Sequence, residues 1–137
     1  MTQKYINTLS RTILGAAIEV HKELGPGLLE NIYERCLAHI LLEKGLKIVT
    51  QQKIPLEFRG LKLYCDLRFD LMVDDLIIVE IKTVERILPI HEAQLLTYLK
   101  LLKKPKGILI NFNCTNIFKE GQKTMVTELF SSLQKGY

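Results

Sequence analysis

The chain has 137 residues, of which 47% are hydrophobic and 25% are charged, and its formal net charge is +4. These values exclude a disordered or collagen-like chain and predict one globular domain, over residues 1–137, with its own hydrophobic core. The basic excess is compatible with a polyanionic partner but does not by itself indicate one.

No apolar stretch is long enough to cross a membrane, and residues 1–11 lack the apolar core of a secretion signal. Cys36, Cys65 and Cys114 are far apart and form no CxxC pair, which argues against a zinc site or a disulfide framework. We therefore expect a protein of the reducing cytoplasm that does not associate with a membrane.

Two amphipathic helices are predicted in the first third of the chain. Apolar residues at three- and four-residue steps predict a helix over residues 8–24, which ends at the Gly-Pro-Gly turn of residues 25–27. A second helix is predicted over residues 28–44, ending at Gly45. Glu30 lies in its first turn, where it either complements the helix dipole, the commoner role, or leans toward a neighbouring sheet.

The middle of the chain is rich in strand patterns. Residues 46–60 predict two short strands or one bent strand, with Pro55 at an edge or a bulge. Apolar and polar residues alternate over residues 61–73, which predicts one half-buried strand. Residues 76–82 are nearly all apolar until Glu80-Ile81-Lys82, which predicts a central strand covered on both faces.

The loop between these last two strands decides which side chains meet. A three-residue loop, residues 74–76, places Asp70 opposite Glu80, whereas a strict two-residue loop places Phe69 there. We predict the first register because it gathers Asp70, Glu80 and Lys82 at one spot. Two carboxylates beside a lysine are typical of a divalent-cation site with an adjacent positive charge, although a solvated hairpin with a salt bridge produces the same pattern.

A third helix is predicted from Pro89 to about residue 103, followed by a strand over residues 106–112. A strand–helix–strand crossover of this length makes that strand parallel to the one carrying Glu80. His91, Gln94 and Tyr98 share one ridge of the helix. Gln94 and Tyr98 are either plain surface or point at the end of the sheet, where they hold a nucleic-acid backbone or a catalytic carboxylate.

The end of the chain carries weaker signals. A loop is predicted over residues 113–121, a last strand or edge segment over residues 123–130, and fraying over residues 131–137. The fold class that follows is α/β, with a mixed central sheet that contains an antiparallel hairpin and a parallel crossover strand and is flanked by helices.

The order of these parts resembles the core of the PD-(D/E)XK nuclease superfamily. QLLTY at residues 94–98 is similar to the QxxxY motif of its RecB-type branch, and GLLENIY at residues 27–33 matches the motif of the GxxExxY family. RFDLMV at residues 68–73, VEIK at residues 79–82 and INFN at residues 110–113 also resemble blocks of that family. The residue before Asp70 is Phe69 where the superfamily name has proline.

The resemblance implies roles for individual residues. Asp70 and Glu80 would bind Mg²⁺ or Mn²⁺, with the carbonyl of Ile81 as a further ligand and Glu30 as an auxiliary one. Lys82 would position or activate the attacking water and stabilise charge on the phosphate. The residues expected to support the site or to contact nucleic acid are Gln94, Tyr98, Tyr33, His91 and Arg68.

The function expected from this resemblance is metal-dependent hydrolysis of phosphodiester bonds in DNA. Cleavage of RNA stays open, and so does a catalytically weak or inactive nuclease-fold module that binds nucleic acid or a partner protein. Because so small a core has little surface for target recognition, a homodimer or a partner subunit is a further expectation.

Overall fold

The computed structural model describes residues 1–137 and contains five helices and seven strands. The helices are α1 (Gln3–Leu24), α2 (Glu30–Glu43), α3 (Pro89–Leu102), α4 (Ile117–Glu120) and α5 (Glu128–Ser131). The strands are β1 (Ile48–Thr50), β2 (Leu56–Phe58), β3 (Leu61–Leu63), β4 (Leu71–Val73), β5 (Ile77–Lys82), β6 (Lys106–Asn111) and β7 (Gln122–Val126). None of the helices is long and apolar enough to span a membrane.

A five-stranded sheet in the order β1-β4-β5-β6-β7 forms the centre of the domain. Strand β5 pairs antiparallel with β4 and parallel with β6, and β7 returns antiparallel to β6. Helix α3 makes the crossover between the two parallel strands, as its position in the sequence predicts. The predicted mixed α/β architecture is therefore confirmed.

Both faces of the sheet are covered, which explains the nearly apolar sequence of β5. Ile77, Val79 and Ile81 belong to the larger core, which α1 and α2 close on one face. Ile78 belongs to a second core on the opposite face, together with Leu95 and other residues of α3. Burial of alternate residues on opposite faces is the arrangement expected of a central strand.

The prediction of one continuous strand over residues 61–73 is wrong. Only β3 and β4 are strands, and β3 pairs with β2 in a separate two-stranded hairpin. Arg59 and Gly60 both adopt positive φ, 48° and 85°, and reverse the chain tightly between β2 and β3. As a result Leu61 and Leu63, expected in the core, are 59% and 41% exposed. Alternation of apolar and polar residues indicates a strand, but it does not show with which other strand that strand pairs.

Both ends of the chain also differ from expectation. Thr2 accepts a hydrogen bond from the Tyr5 N–H, so α1 begins at Gln3 rather than at residue 8. The predicted fraying of residues 131–137 is not observed, because the backbone N–H groups of Gln3 and Lys4 donate to the carbonyls of Gln134 and Lys135. Helix α4 lies within the predicted loop, and the last strand ends at Val126.

Candidate functional site

The β4–β5 hairpin brings Asp70 and Glu80 together. Leu71 pairs with Val79, and Val73 pairs with Ile77, which leaves the three-residue loop 74–76 of the predicted register. One step beyond the first pair, Asp70 lies opposite Glu80. The loop depends on Asp74 and Asp75, which both adopt left-handed φ values of 51° and 57°.

At the point where β4 and β5 separate, each of the two carboxylates accepts a hydrogen bond from a backbone N–H of the other strand. The Asp70 N–H donates to Glu80 Oε2 at 3.2 Å, and the Ile81 N–H donates to Asp70 Oδ2 at 2.8 Å. The Lys82 carbonyl instead faces β6, where it accepts from the Phe112 N–H at 2.9 Å. Since N–H and C=O of one strand residue point the same way, the Ile81 carbonyl faces the Asp70 side.

Burial gives Glu80 an unusually high proton affinity. Glu80 is only 6% exposed. Burial, followed by the neighbouring Asp70 carboxylate, raises the pKa of Glu80 to about 9, although the positive charge of Lys82 acts in the opposite direction. A proton or a cation is therefore needed to neutralise the pair near neutral pH.

The donor set fits a hard divalent cation. Mg²⁺ is commonly held by one or two carboxylates and keeps several of its waters, and carboxylate and carbonyl oxygens are its preferred ligands. Asp70, Glu80 and the Ile81 carbonyl provide that set. The structure gathers no group of three or more His, Cys, Asp and Glu side chains that could hold a metal ion. The expected third carboxylate, from Glu30, is thus not assembled with the other two.

Lys82 lies half-buried at the end of β5, two residues after Glu80 and on the same face. Its ammonium takes no part in the salt bridges of the chain. Asn111 of β6 is its register partner and holds the chain that follows, because Asn111 Nδ2 donates to the Val84 carbonyl at 2.9 Å and its Oδ1 accepts from the Val84 N–H at 3.1 Å.

Helix α3 contributes Tyr98 to the same side of the sheet. Gln94 Nε2 donates to the Tyr98 hydroxyl at 3.0 Å. Burial and then the charges of Glu80 and Asp70 raise the pKa of Tyr98, whose side chain packs in the second core. Tyr98 thus lies on the side of the sheet that carries Glu80 and Asp70, and its predicted role in holding a carboxylate or nucleic acid stays a prediction.

Other predicted site residues lie elsewhere or serve the scaffold. The exposed carboxylate of Glu30 accepts a hydrogen bond from the Thr83 N–H at 3.0 Å, beyond the end of β5. Arg68 pairs with Asp66 at 2.9 Å. His91 Nδ1 accepts from the Leu88 N–H at 2.9 Å at the start of α3.

Tyr33 is fully buried, so its side chain is not available to nucleic acid. Its hydroxyl donates to the Gly25 carbonyl at 2.5 Å and accepts from the Leu28 N–H at 3.1 Å. Tyr33 therefore anchors the turn between α1 and α2, which is a supporting role.

Sequence reasoning missed Glu34 and Gln51. Glu34 is 8% exposed on α2. Its Oε1 accepts from Gln51 Nε2 at 2.6 Å, and Gln51 Nε2 also donates to Asp70 Oδ1 at 3.1 Å. One signal was present for Glu34, since Leu37 and Leu41 follow it at three and seven residues on the buried face. No local pattern distinguishes Gln51 from its neighbour Gln52.

The family model of the PD-(D/E)XK nuclease superfamily matches residues 7–125, a range that includes every residue of the site described above. No curated protein and no solved structure matches the chain.

Proposed function

The chain belongs to the PD-(D/E)XK nuclease superfamily, and on that basis we propose that it hydrolyses phosphodiester bonds of DNA with Mg²⁺ or Mn²⁺. The observation that carries the proposal is the reciprocal bonding of Asp70 and Glu80 at the end of a buried hairpin, with Lys82 beside them. We also assign the chain to the GxxExxY branch, on the motifs at residues 27–33 and 94–98.

In this proposal Asp70, Glu80 and the Ile81 carbonyl would hold the cation. When bound, the cation would supply positive charge to the phosphate and would lower the pKa of a coordinated water. Lys82 adds a compact positive charge that binds a phosphate oxygen and orients the attacking water. Release of the Glu80 proton is part of cation binding, because a carboxylate must be ionised to act as a ligand.

The neighbouring side chains would then order the site. Tyr98, whose hydroxyl accepts a hydrogen bond from Gln94, would donate its own proton to a phosphate oxygen. Glu30 can act as an auxiliary carboxylate only if it exchanges the Thr83 N–H for the cation. Arg68 and His91 are further candidates for contact with the nucleic-acid backbone, as partly exposed cationic or polar groups.

The test is cleavage of labelled single- and double-stranded DNA, with RNA in parallel, in Mg²⁺ or Mn²⁺ and in chelator. We expect Lys82→Ala and Asp70→Ala to lower the rate by ~100-fold or more, since each removes a charge positioned at the reacting group. Lys22→Ala, an exposed lysine near the end of α1, is the matched control and should cleave like the wild type. Activity that survives in both site variants would contradict the assignment.

A catalytically inactive module that binds nucleic acid or a partner protein is the competing function. A protein of that kind has no use for a cation, so Mn²⁺ should not raise its melting temperature. The buried Glu80 beside Asp70 favours the nuclease, because burying an acidic group is costly in a fold that does not use it. We further propose a cytoplasmic location, on its three free cysteines, and a homodimer or a partner subunit that extends the recognition surface.

A further inference from the structure

Gln51 occupies the register position opposite Asp70 on the side away from Glu80. Strand β1 pairs with β4 so that Thr50 lies opposite Leu71, and the Gln51 N–H continues the ladder by donating to the Asp70 carbonyl at 3.0 Å. Asp70 therefore lies between Gln51 and Glu80 in one row across three strands. The side chain and the backbone of Gln51 both bind the same residue.

The amide of Gln51 links two carboxylates. Its Nε2 donates to Glu34 Oε1 at 2.6 Å and to Asp70 Oδ1 at 3.1 Å. The other oxygen of Asp70, Oδ2, accepts from the Ile81 N–H. Both oxygens of this carboxylate are thus held by a donor, which fixes its orientation, while each keeps a lone pair for a cation.

The backbone of Gln51 is also unusual. Its φ is +50°, in the left-handed region that glycine favours and glutamine rarely adopts. A glycine here would relieve the backbone but would carry no amide to join Glu34 to Asp70. Because this conformation costs free energy in a residue other than glycine, retaining glutamine here is consistent with a role for its side chain.

We propose that Gln51, itself held by Glu34, is the positioning residue that orients the Asp70 carboxylate for the divalent cation. The inference rests on the proposed function, since it assigns Asp70 as a metal ligand. Side chains that form hydrogen bonds to metal ligands commonly affect metal binding, and their loss typically weakens it by ~10- to 100-fold.

The first experiment measures Mn²⁺ affinity by titration calorimetry in the absence of nucleic acid. We expect Gln51→Met, which keeps the length of the side chain but removes its donors, to weaken binding by ~10-fold or more. Gln52→Met is the matched control, because it makes the same change at the adjacent exposed residue and should bind like the wild type. Equal affinity in Gln51→Met and the wild type would overturn the proposal.

Glu34 provides a second pair of variants. Glu34→Gln keeps an oxygen that can accept from Gln51 and should retain affinity within ~3-fold, whereas Glu34→Leu removes the acceptor and should behave like Gln51→Met. Thermal unfolding by circular dichroism identifies any variant that fails to fold. If Glu34→Gln and Glu34→Leu weaken binding equally, Glu34 acts through its charge and the positioning account is wrong.

A second readout needs no metal. Loss of the Gln51 amide frees the Asp70 carboxylate, so hydrogen exchange of the Ile81 N–H should accelerate by ~5-fold or more in Gln51→Met and not in Gln52→Met. If the wild type binds no Mn²⁺, the nuclease proposal fails together with the metal-ligand role of Asp70, and the exchange rate alone decides whether Gln51 orients the Asp70 carboxylate. An unchanged Ile81 exchange rate in Gln51→Met would then reject it.

Discussion

Tyr33 lies flat against Phe112, with ring centroids 4.3 Å apart and planes at 8°. The contact joins the start of α2 to the chain that leaves β6, so it sets the helix bearing Glu34 against the sheet bearing Glu80. The Tyr33 hydroxyl simultaneously closes the turn between α1 and α2 through Gly25 and Leu28. A motif residue of the sequence is therefore part of the scaffold beneath the site.

Tyr33→Phe should keep the stacking and lose only the hydroxyl. We expect the free energy of unfolding to fall by about 1–3 kcal/mol, because the Leu28 N–H and the Gly25 carbonyl lose their partner. Urea denaturation followed by circular dichroism measures this change. Tyr5→Phe, which removes an exposed hydroxyl bonded to Asp74, is the control and should cost clearly less. Similar losses in the two variants would show that the turn does not depend on Tyr33.

Glu80 should make the stability of the metal-free protein fall as pH rises. The pKa of Glu80 is raised to about 9 in the folded state, above its ordinary value of 4.5, so between these values the folded protein holds a proton that the unfolded chain releases. The protonated Glu80 makes its full contribution to stability below pH 4.5, and this contribution is lost as the pH rises to about 9. Over that range the free energy of unfolding should fall by up to about 1.4 kcal/mol per pH unit.

The check is urea denaturation in chelator from pH 5 to 9. Glu80→Gln cannot ionise and should remove this slope, so that the variant exceeds the wild type in stability at high pH. Glu19→Gln, on the exposed side of α1, is the matched control. A wild-type slope that persists in Glu80→Gln would assign it to another group.

Binding of a divalent cation should release a proton from Glu80. Because the pKa of Glu80 is raised to about 9, that carboxyl is mostly protonated at pH 7, and a cation must displace the proton. Mn²⁺ affinity should therefore rise by up to about tenfold per pH unit between pH 6 and 8. Calorimetry in two buffers of different ionisation enthalpy should find about one proton released per cation. Affinity that does not vary with pH would contradict this.

Gly121 and Gly15 form a matched pair for packing near the site and away from it. A Cβ at Gly121 would lie 2.7 Å from the Asn111 carbonyl oxygen and 2.9 Å from the Ile117 Cα, both on the backbone. Gly121→Ala should therefore lower the free energy of unfolding by about 1–3 kcal/mol. Gly15 lies within α1, and a Cβ there meets nothing within 4 Å. Gly15→Ala should therefore raise the free energy of unfolding by about 0.4–1 kcal/mol. Thermal denaturation compares the two.

Much of the framework could be predicted from the sequence because it depends on local properties. The periodicity of α1, the proline at the start of α3 and the apolar run of β5 each predict the element in which they lie. The register that places Asp70 opposite Glu80 was predicted from the chemistry of the residues it gathers, because the sequence alone allowed a loop of two or three residues and a change of one residue turns the facing side chain over. The pairing of β5 with β6 followed from the crossover rule.

Only the tertiary structure decided which distant residues complete the site. Gln51 meets Asp70 across 19 positions of sequence and Glu34 across 17, and no local period records either contact. It also separated β3 from β4 and exposed Leu61 and Leu63, because alternation specifies two faces but not what covers them. The sequence by itself thus determined the hairpin and its two carboxylates. The surroundings that orient Asp70 and raise the pKa of Glu80 depend on burial and long-range packing, which arise only when the chain has folded.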